Sequence, residues 1–107
     1  MCSIFSILDI KNNASELRST ALECSRLLRH RGPDWSGIYH NDNAILVHER
    51  LAIVDTEHGA QPLYNADKTH VLAVNGEIYN HKQLAEKLGV DYEFQTGSDC
   101  EVILPLY

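Results

Sequence analysis

The sequence has little positive charge and no long apolar run, and each absence excludes a class of protein. Nine lysines and arginines stand against 15 aspartates and glutamates, which gives a formal net charge of −6. An acidic chain of this kind is a poor ligand for a phosphate backbone, so we expect no nucleic acid partner. No stretch approaches the ~20 consecutive apolar residues of a membrane-spanning helix, so we expect no membrane partner either.

Cysteines and metal-binding patterns are also scarce. The three cysteines, Cys2, Cys24 and Cys100, form no Cys-x-x-Cys pair and are odd in number. We therefore expect free thiols and a cytoplasmic location, since the reducing cytoplasm disfavours disulfides. The six histidines contain no pair at helical ligand spacing, and no glycine-rich phosphate loop is present. We expect no metal and no cofactor in this chain.

Local patterns predict alternating strands and helices. Strands are expected at CSIFSIL, at GIY and AILVHERLAIV on either side of the turn HNDN, at VLAVNG and at YEFQT, whereas QPLYNADKTH is expected to be loop. Helices are expected from the N-cap Asn13 to Gly32, over HKQLAEKL, and over DCEVILPLY after Ser98. Pro105 lies inside this last helix, where it would remove a backbone hydrogen bond.

Cys2 follows the initiator methionine directly, which raises the question of a catalytic role. If Met1 is removed, the Cys2 thiol and a free α-amino group belong to one residue. The thiolate can then attack a carbonyl carbon while the amino group acts as general base near neutral pH. A small residue buried at the start of a strand is the commoner explanation for such a cysteine, so the hypothesis needs support elsewhere in the chain.

Four further residues match the remaining needs of acyl transfer from an amino acid. Asn75 and Gly76 follow the strand VLAV, where a side-chain amide and a backbone N–H can stabilise an oxyanion, although Asn-Gly is also a common turn. Arg50 lies between apolar segments and can bind a carboxylate. Asp99 can bind an ammonium group, although an acid in the first turn of a helix is favoured by the helix dipole alone.

Six segments of the chain together carry a specific resemblance. They are MCSIF, RHRGPDWSG, HERLAIVD, GAQPLYN, VLAVNGEIYNH and TGSDCEVI. In this order they resemble the N-terminal glutaminase domain of glutamine-dependent asparagine synthetases, within the class II glutamine amidotransferases. Other class II amidotransferases share the terminal cysteine and an Asn-Gly, but RGPDWSG and NGEIYNH are similar to the asparagine synthetase versions. The resemblance covers residues 1–107.

The resemblance implies a role for each matching residue. Cys2 would attack the side-chain amide of L-glutamine and form a glutamyl thioester, with Asn75 and Gly76 as the oxyanion hole. Arg50 would bind the substrate carboxylate, Asp99 its ammonium, and Glu77 would assist. The implied lining of the pocket is Leu51, Ala52, Ile53 and Val54.

The resemblance also implies a fold and a larger protein. The family's fold is α+β, the N-terminal nucleophile (Ntn) hydrolase αββα sandwich of four layers, and residues 1–107 would be its N-terminal half, incomplete at the C-terminus. A synthetase domain, absent here, would use MgATP and the released ammonia to convert aspartate to asparagine. A homodimer is the assembly that the resemblance implies. The alternative hypotheses are another class II amidotransferase, or a non-catalytic fragment that pairs with another chain. Such a fragment would aggregate or lack a cooperative melt.

Overall fold

The computed structural model describes all 107 residues as a mixture of helices and antiparallel strands. In chain order the elements are β1 (Ser3–Leu8), α1 (Ala14–Arg26), β2 (Trp35–His40), β3 (Ala44–Arg50), β4 (Leu63–Tyr64), β5 (Val71–Leu72), α2 (His81–Leu88), a 3₁₀ helix (Asp99–Val102) and α3 (Ile103–Leu106). β3 lies between β1 and β2 in one sheet, and β4 pairs with β5 in a second. None of the helices has the length and apolar content needed to cross a membrane.

One face of the three-stranded sheet packs on α1 and forms the core. Ile45 and Val47 are two residues apart in β3, so their side chains point to the same face, where both are fully buried together with Ala21 of the helix. Burying each branched side chain contributes about 1.5–3 kcal/mol. Asn13 caps α1 as predicted, because its side-chain oxygen accepts a hydrogen bond from the backbone N–H of Ser15. The predicted strands β1, β2 and β3 are therefore confirmed as the framework of the domain.

The opposite face of the sheet is covered by the chain between residues 59 and 76. Gly37 of β2 lies opposite His48 of β3, and a Cβ atom on Gly37 would lie 1.9 Å from the carbonyl oxygen of Gln61. Glycine at this position therefore lets main chain pass directly over the sheet. Tyr64 of β4 meets Tyr39 of β2 with 6.0 Å between ring centroids, which places the small sheet on the side away from α1.

One strand prediction is wrong and another is too long, and in both cases backbone N–H groups donate to side-chain carboxylates instead of to a strand. The run AILVHERLAIV ends as a strand at Arg50, because the N–H of Ala52 donates to the Asp34 carboxylate instead of to a neighbouring strand. YEFQT forms no strand, since the backbone N–H groups of Gln95 and Thr96 both donate to the buried carboxylate of Glu101, at 2.7 Å each. The predicted loop QPLYNADKTH contains β4, whereas only Val71–Leu72 of VLAVNG is strand.

The last helix differs from its prediction in a way that accommodates Pro105. The segment begins as a 3₁₀ helix with Ser98 as its N-cap and becomes α-helical only at Ile103. Pro105 is therefore in the first turn of α3, where a missing N–H is tolerated.

Candidate active site

A cleft of about 250 Å³ lies on the sheet face opposite α1. The alternation that turns Ile45 and Val47 toward the helix turns His48 and Arg50 toward this side. Nine of the ten residues expected in the site line the cleft: Cys2, Arg50, Leu51, Ile53, Val54, Asn75, Gly76, Glu77 and Asp99. The structure thus brings together residues from both ends of the chain.

Ala52 is the exception among the expected lining residues. It does not border the cleft, and its N–H donates to Asp34 Oδ2 at 2.9 Å. The expectation that four consecutive residues all line the pocket is therefore corrected at this position. Because Asp34 holds the backbone of Ala52, the chain bends after β3 and presents Leu51, Ile53 and Val54 to the cleft instead.

The Cys2 thiol is held by the main chain immediately after β3. Its Sγ accepts a hydrogen bond from the N–H of Leu51 at 3.3 Å and lies 3.6 Å from the carbonyl oxygen of the same residue. Arg31 Nε donates to the Cys2 carbonyl at 3.3 Å, which fixes the adjacent backbone. The half-buried Cys2 side chain is thus anchored by main chain where it borders the cleft.

Arg50 is buried and organises the loop that follows it. Its guanidinium donates to the carbonyl oxygens of Val54 at 2.9 Å, Asp55 at 2.5 Å and Thr56 at 3.3 Å. Three of its five N–H donors are used in this way, and the other two have no protein acceptor. Because Arg50 is permanently charged and held by these contacts, it offers a pre-oriented cation for a carboxylate.

The Asn75–Gly76 loop lies at the rim of the cleft, between β5 and α2. Both residues are exposed, and neither the Asn75 side chain nor the Gly76 N–H forms a hydrogen bond with another protein group. The Gly76 carbonyl accepts a weak hydrogen bond from the Cys100 thiol at 3.5 Å. The Asn75 side-chain amide and the Gly76 N–H are therefore free at the mouth of the cleft that contains the Cys2 sulfur, an arrangement suited to an oxyanion.

Acidic side chains border the same cleft on the side of the 3₁₀ helix. Asp99 is buried, and its Oδ2 accepts a hydrogen bond from the N–H of Ile78 at 2.6 Å. Its negative charge at the wall of the cleft is suited to an ammonium group. Glu77 is exposed at the rim. No group of three or more His, Cys, Asp and Glu side chains is placed to bind a metal ion.

Sequence reasoning missed several cleft residues, of which Cys100 is the most informative. Burial and the nearby Asp99 carboxylate raise the pKa of the Cys100 thiol to about 12, so the group stays protonated near neutral pH. Of the two thiols in the cleft, Cys100 is thus the one held in its protonated form, and it donates to the Gly76 carbonyl. Gln61, Val74 and Ser98 also line the cleft. No local sequence pattern marks them, because long-range packing brings them there.

Comparisons with known proteins agree with this geometry. A family model for the glutamine amidotransferase domain matches residues 1–107. The chain is 73% identical over its whole length to asparagine synthetase B (glutamine-hydrolysing) of Escherichia coli, and 57% identical to asparagine synthetase (glutamine-hydrolysing) 2 of Arabidopsis thaliana. It covers 19% and 18% of these two proteins, so it spans about a fifth of the length of such relatives. The chain belongs to the glutamine amidotransferase domain family.

Proposed function

We propose that this chain hydrolyses L-glutamine to glutamate and ammonia, as the glutaminase part of a glutamine-hydrolysing asparagine synthetase. The observation that carries the proposal is the meeting in one cleft of the anchored Cys2 sulfur, the buried Arg50 cation, the buried Asp99 carboxylate and the free donors of the Asn75–Gly76 loop. These groups match the four parts of an acyl transfer from an α-amino acid: nucleophile, carboxylate site, ammonium site and oxyanion hole.

The proposed reaction begins after removal of Met1, which frees the α-amino group of Cys2. This amine takes the thiol proton, and the sulfur attacks the amide carbon of glutamine to form a C–S bond. The negative charge moves to the amide oxygen, where the Asn75 side-chain amide and the Gly76 N–H stabilise it. The C–N bond then breaks, ammonia leaves with the transferred proton, and a glutamyl thioester remains. Attack by water on the thioester releases glutamate and restores the thiol.

The chemistry proposed for this chain needs no cofactor. Each step uses only the thiol, the α-amino group, N–H donors and water. MgATP would act in the synthetase domain that the resemblance implies, where ammonia would convert activated aspartate to asparagine. That domain would lie in the remaining four-fifths of the length that relatives such as the Escherichia coli protein have.

The proposal extends to the fold, the location and the assembly. We assign α1 and the three-stranded sheet to the first two layers of an Ntn sandwich of four layers, with β4 and β5 as the start of the second sheet. The three free cysteines fit a cytoplasmic protein. A homodimer stays a prediction, which light scattering at two protein concentrations tests.

Release of glutamate and ammonia from L-glutamine tests the proposal, with Cys2→Ala as the inactive variant. Cys24→Ala is the matched control, since Cys24 lies in α1 and does not line the cleft. We expect hydrolysis by the parent and by Cys24→Ala and none by Cys2→Ala. Equal rates for all three proteins, or no hydrolysis by a parent that has lost Met1 and melts cooperatively, would contradict the proposed function, whereas an inactive parent without a cooperative melt would favour the non-catalytic alternative.

A further inference from the structure

His48 is a buried polar side chain for which the proposed chemistry has no role. It is fully buried in β3 on the cleft side of the sheet, and its Nε2 donates a hydrogen bond to the carbonyl oxygen of Val74 at 3.0 Å. Its Nδ1 is buried without any partner. An unsatisfied buried nitrogen destabilises a fold by about 1–3 kcal/mol. Packing alone therefore does not explain a histidine at this position. The hydrogen bond to Val74 is the only one that its side chain forms.

Val74 is held from its other side by Gln61. The side-chain oxygen of Gln61 accepts a hydrogen bond from the N–H of Val74 at 2.6 Å. Gln61 is buried, and its backbone lies directly over Gly37, so it is held against the sheet. Since β5 ends at Leu72, no strand pairing holds Val74, and two side chains from distant parts of the chain bind both of its backbone polar groups.

We propose that His48 and Gln61 are positioning residues that clamp Val74 and thereby aim the Asn75–Gly76 loop at the oxyanion of the reacting substrate. The inference rests on the proposed glutaminase function for its kinetic consequence, and on the hydrogen bonds above for the clamp itself.

The geometry of the peptide bond connects the clamp to the loop. The Val74 carbonyl and the Asn75 N–H lie in one rigid plane, so fixing the carbonyl fixes the orientation of that N–H. Only the two backbone dihedral angles of Asn75 then separate the fixed plane from the Gly76 N–H. Gly76 has open space around it, with no atom within 4 Å of an added Cβ. Apart from the weak hydrogen bond from the Cys100 thiol to the Gly76 carbonyl, the direction of the loop therefore depends on its anchors.

Two variants of His48 separate positioning from packing. His48→Leu removes both the donor to Val74 and the orphaned Nδ1, and since these two effects oppose each other at about 1–3 kcal/mol each, we expect its melting temperature to stay close to that of the parent. Because an oxyanion hole acts in the transition state, we expect its kcat for glutamine to fall about tenfold or more while KM changes less than about threefold. His48→Gln keeps an N–H donor at similar reach, and we expect it to restore kcat to within about threefold of the parent.

A second readout does not depend on activity. Hydrogen exchange measured by mass spectrometry should become faster in the peptide spanning residues 71–79 of His48→Leu, while the peptide spanning residues 44–50 exchanges as in the parent. If His48→Leu does not fold, Gln61→Leu provides the same comparison, because it removes only the acceptor for the Val74 N–H.

The outcomes decide the two proposals separately. A lower kcat with unchanged KM, restored by His48→Gln and accompanied by faster exchange in residues 71–79, supports the clamp. Unchanged kcat and unchanged exchange in His48→Leu would overturn it, as would a His48→Gln variant as slow as His48→Leu. If the folded parent hydrolyses no glutamine, the proposed function fails, and the exchange comparison alone then decides whether the clamp exists.

Discussion

Replacing Gly37 by alanine should destabilise the protein strongly, because main chain covers β2 at this point. The added Cβ would lie 1.9 Å from the carbonyl oxygen of Gln61 and 3.3 Å from Cδ of Pro62. The covering segment would have to move away by about 1 Å, and overpacking of this kind costs about 1–3 kcal/mol. The same movement weakens the hydrogen bond that the Val74 N–H donates to the Gln61 side chain, which costs about 1 kcal/mol of stability. For a chain of this size the sum lowers the melting temperature by roughly 10–20 °C.

Gly76→Ala is the matched control for this measurement. It makes the same chemical change at a glycine where no atom lies within 4 Å of the added Cβ, and no glycine of the chain has a positive φ. We expect its melting temperature, measured by circular dichroism near pH 7, to stay within about 3 °C of the parent. The reasoning is refuted if Gly37→Ala melts as the parent does, or if the two variants are destabilised equally.

Two further predictions concern the cleft and its surroundings. Arg50→Lys removes the two free guanidinium donors, and at about 1.5 kcal/mol for each charge-assisted hydrogen bond the KM for glutamine should rise roughly a hundredfold with little change in kcat. Steady-state kinetics tests this, and an unchanged KM would contradict the assignment of Arg50 to the substrate carboxylate. Burial lowers the pKa of His48 from its ordinary value of 6.5, so the unfolded chain takes up a proton below about pH 6.5 that the folded chain excludes. The melting temperature of the parent should therefore fall more steeply from pH 7 to pH 5 than that of His48→Gln, and parallel curves would show that His48 does not contribute.

Short sequence patterns are sufficient to predict those strands and helices that depend on alternation or capping within a few residues. The apolar runs of β1 and β3 and the N-cap Asn13 are visible in the sequence, because alternation and capping act over a few residues. YEFQT has the composition of a strand but forms none, since the Glu101 carboxylate binds the N–H groups that a neighbouring strand would need. Such a competition between a side chain and a strand is not visible in a short window of sequence.

The residues of the candidate site also fall into two groups, those that the sequence marks and those that only long-range contacts bring to the cleft. Cys2 and the Asn75–Gly76 pair stand out by residue type and position, which makes them candidates, but only the resemblance carried by the six segments assigns their roles. Ala52 enters the predicted lining only with its neighbours, and its bond to Asp34 removes it from the cleft. No sequence signal marks Gln61 or His48, because their bonds to Val74 cross 13 and 26 residues of chain. The roles of the residues that line the cleft stay predictions.

Covalent trapping of Cys2 tests the central claim most directly. The protein would be treated with a diazo-ketone analogue of glutamine, which alkylates a nucleophile only where the glutamine site is formed, and its intact mass and peptides would be measured. The account predicts a starting mass that lacks Met1 and a single adduct on the peptide containing Cys2. The adduct should be prevented by excess L-glutamine, absent from Cys2→Ala and present in Cys24→Ala. No adduct on folded protein, or an adduct on Cys24 or Cys100 instead, would contradict the claim that this cleft is a glutaminase active site.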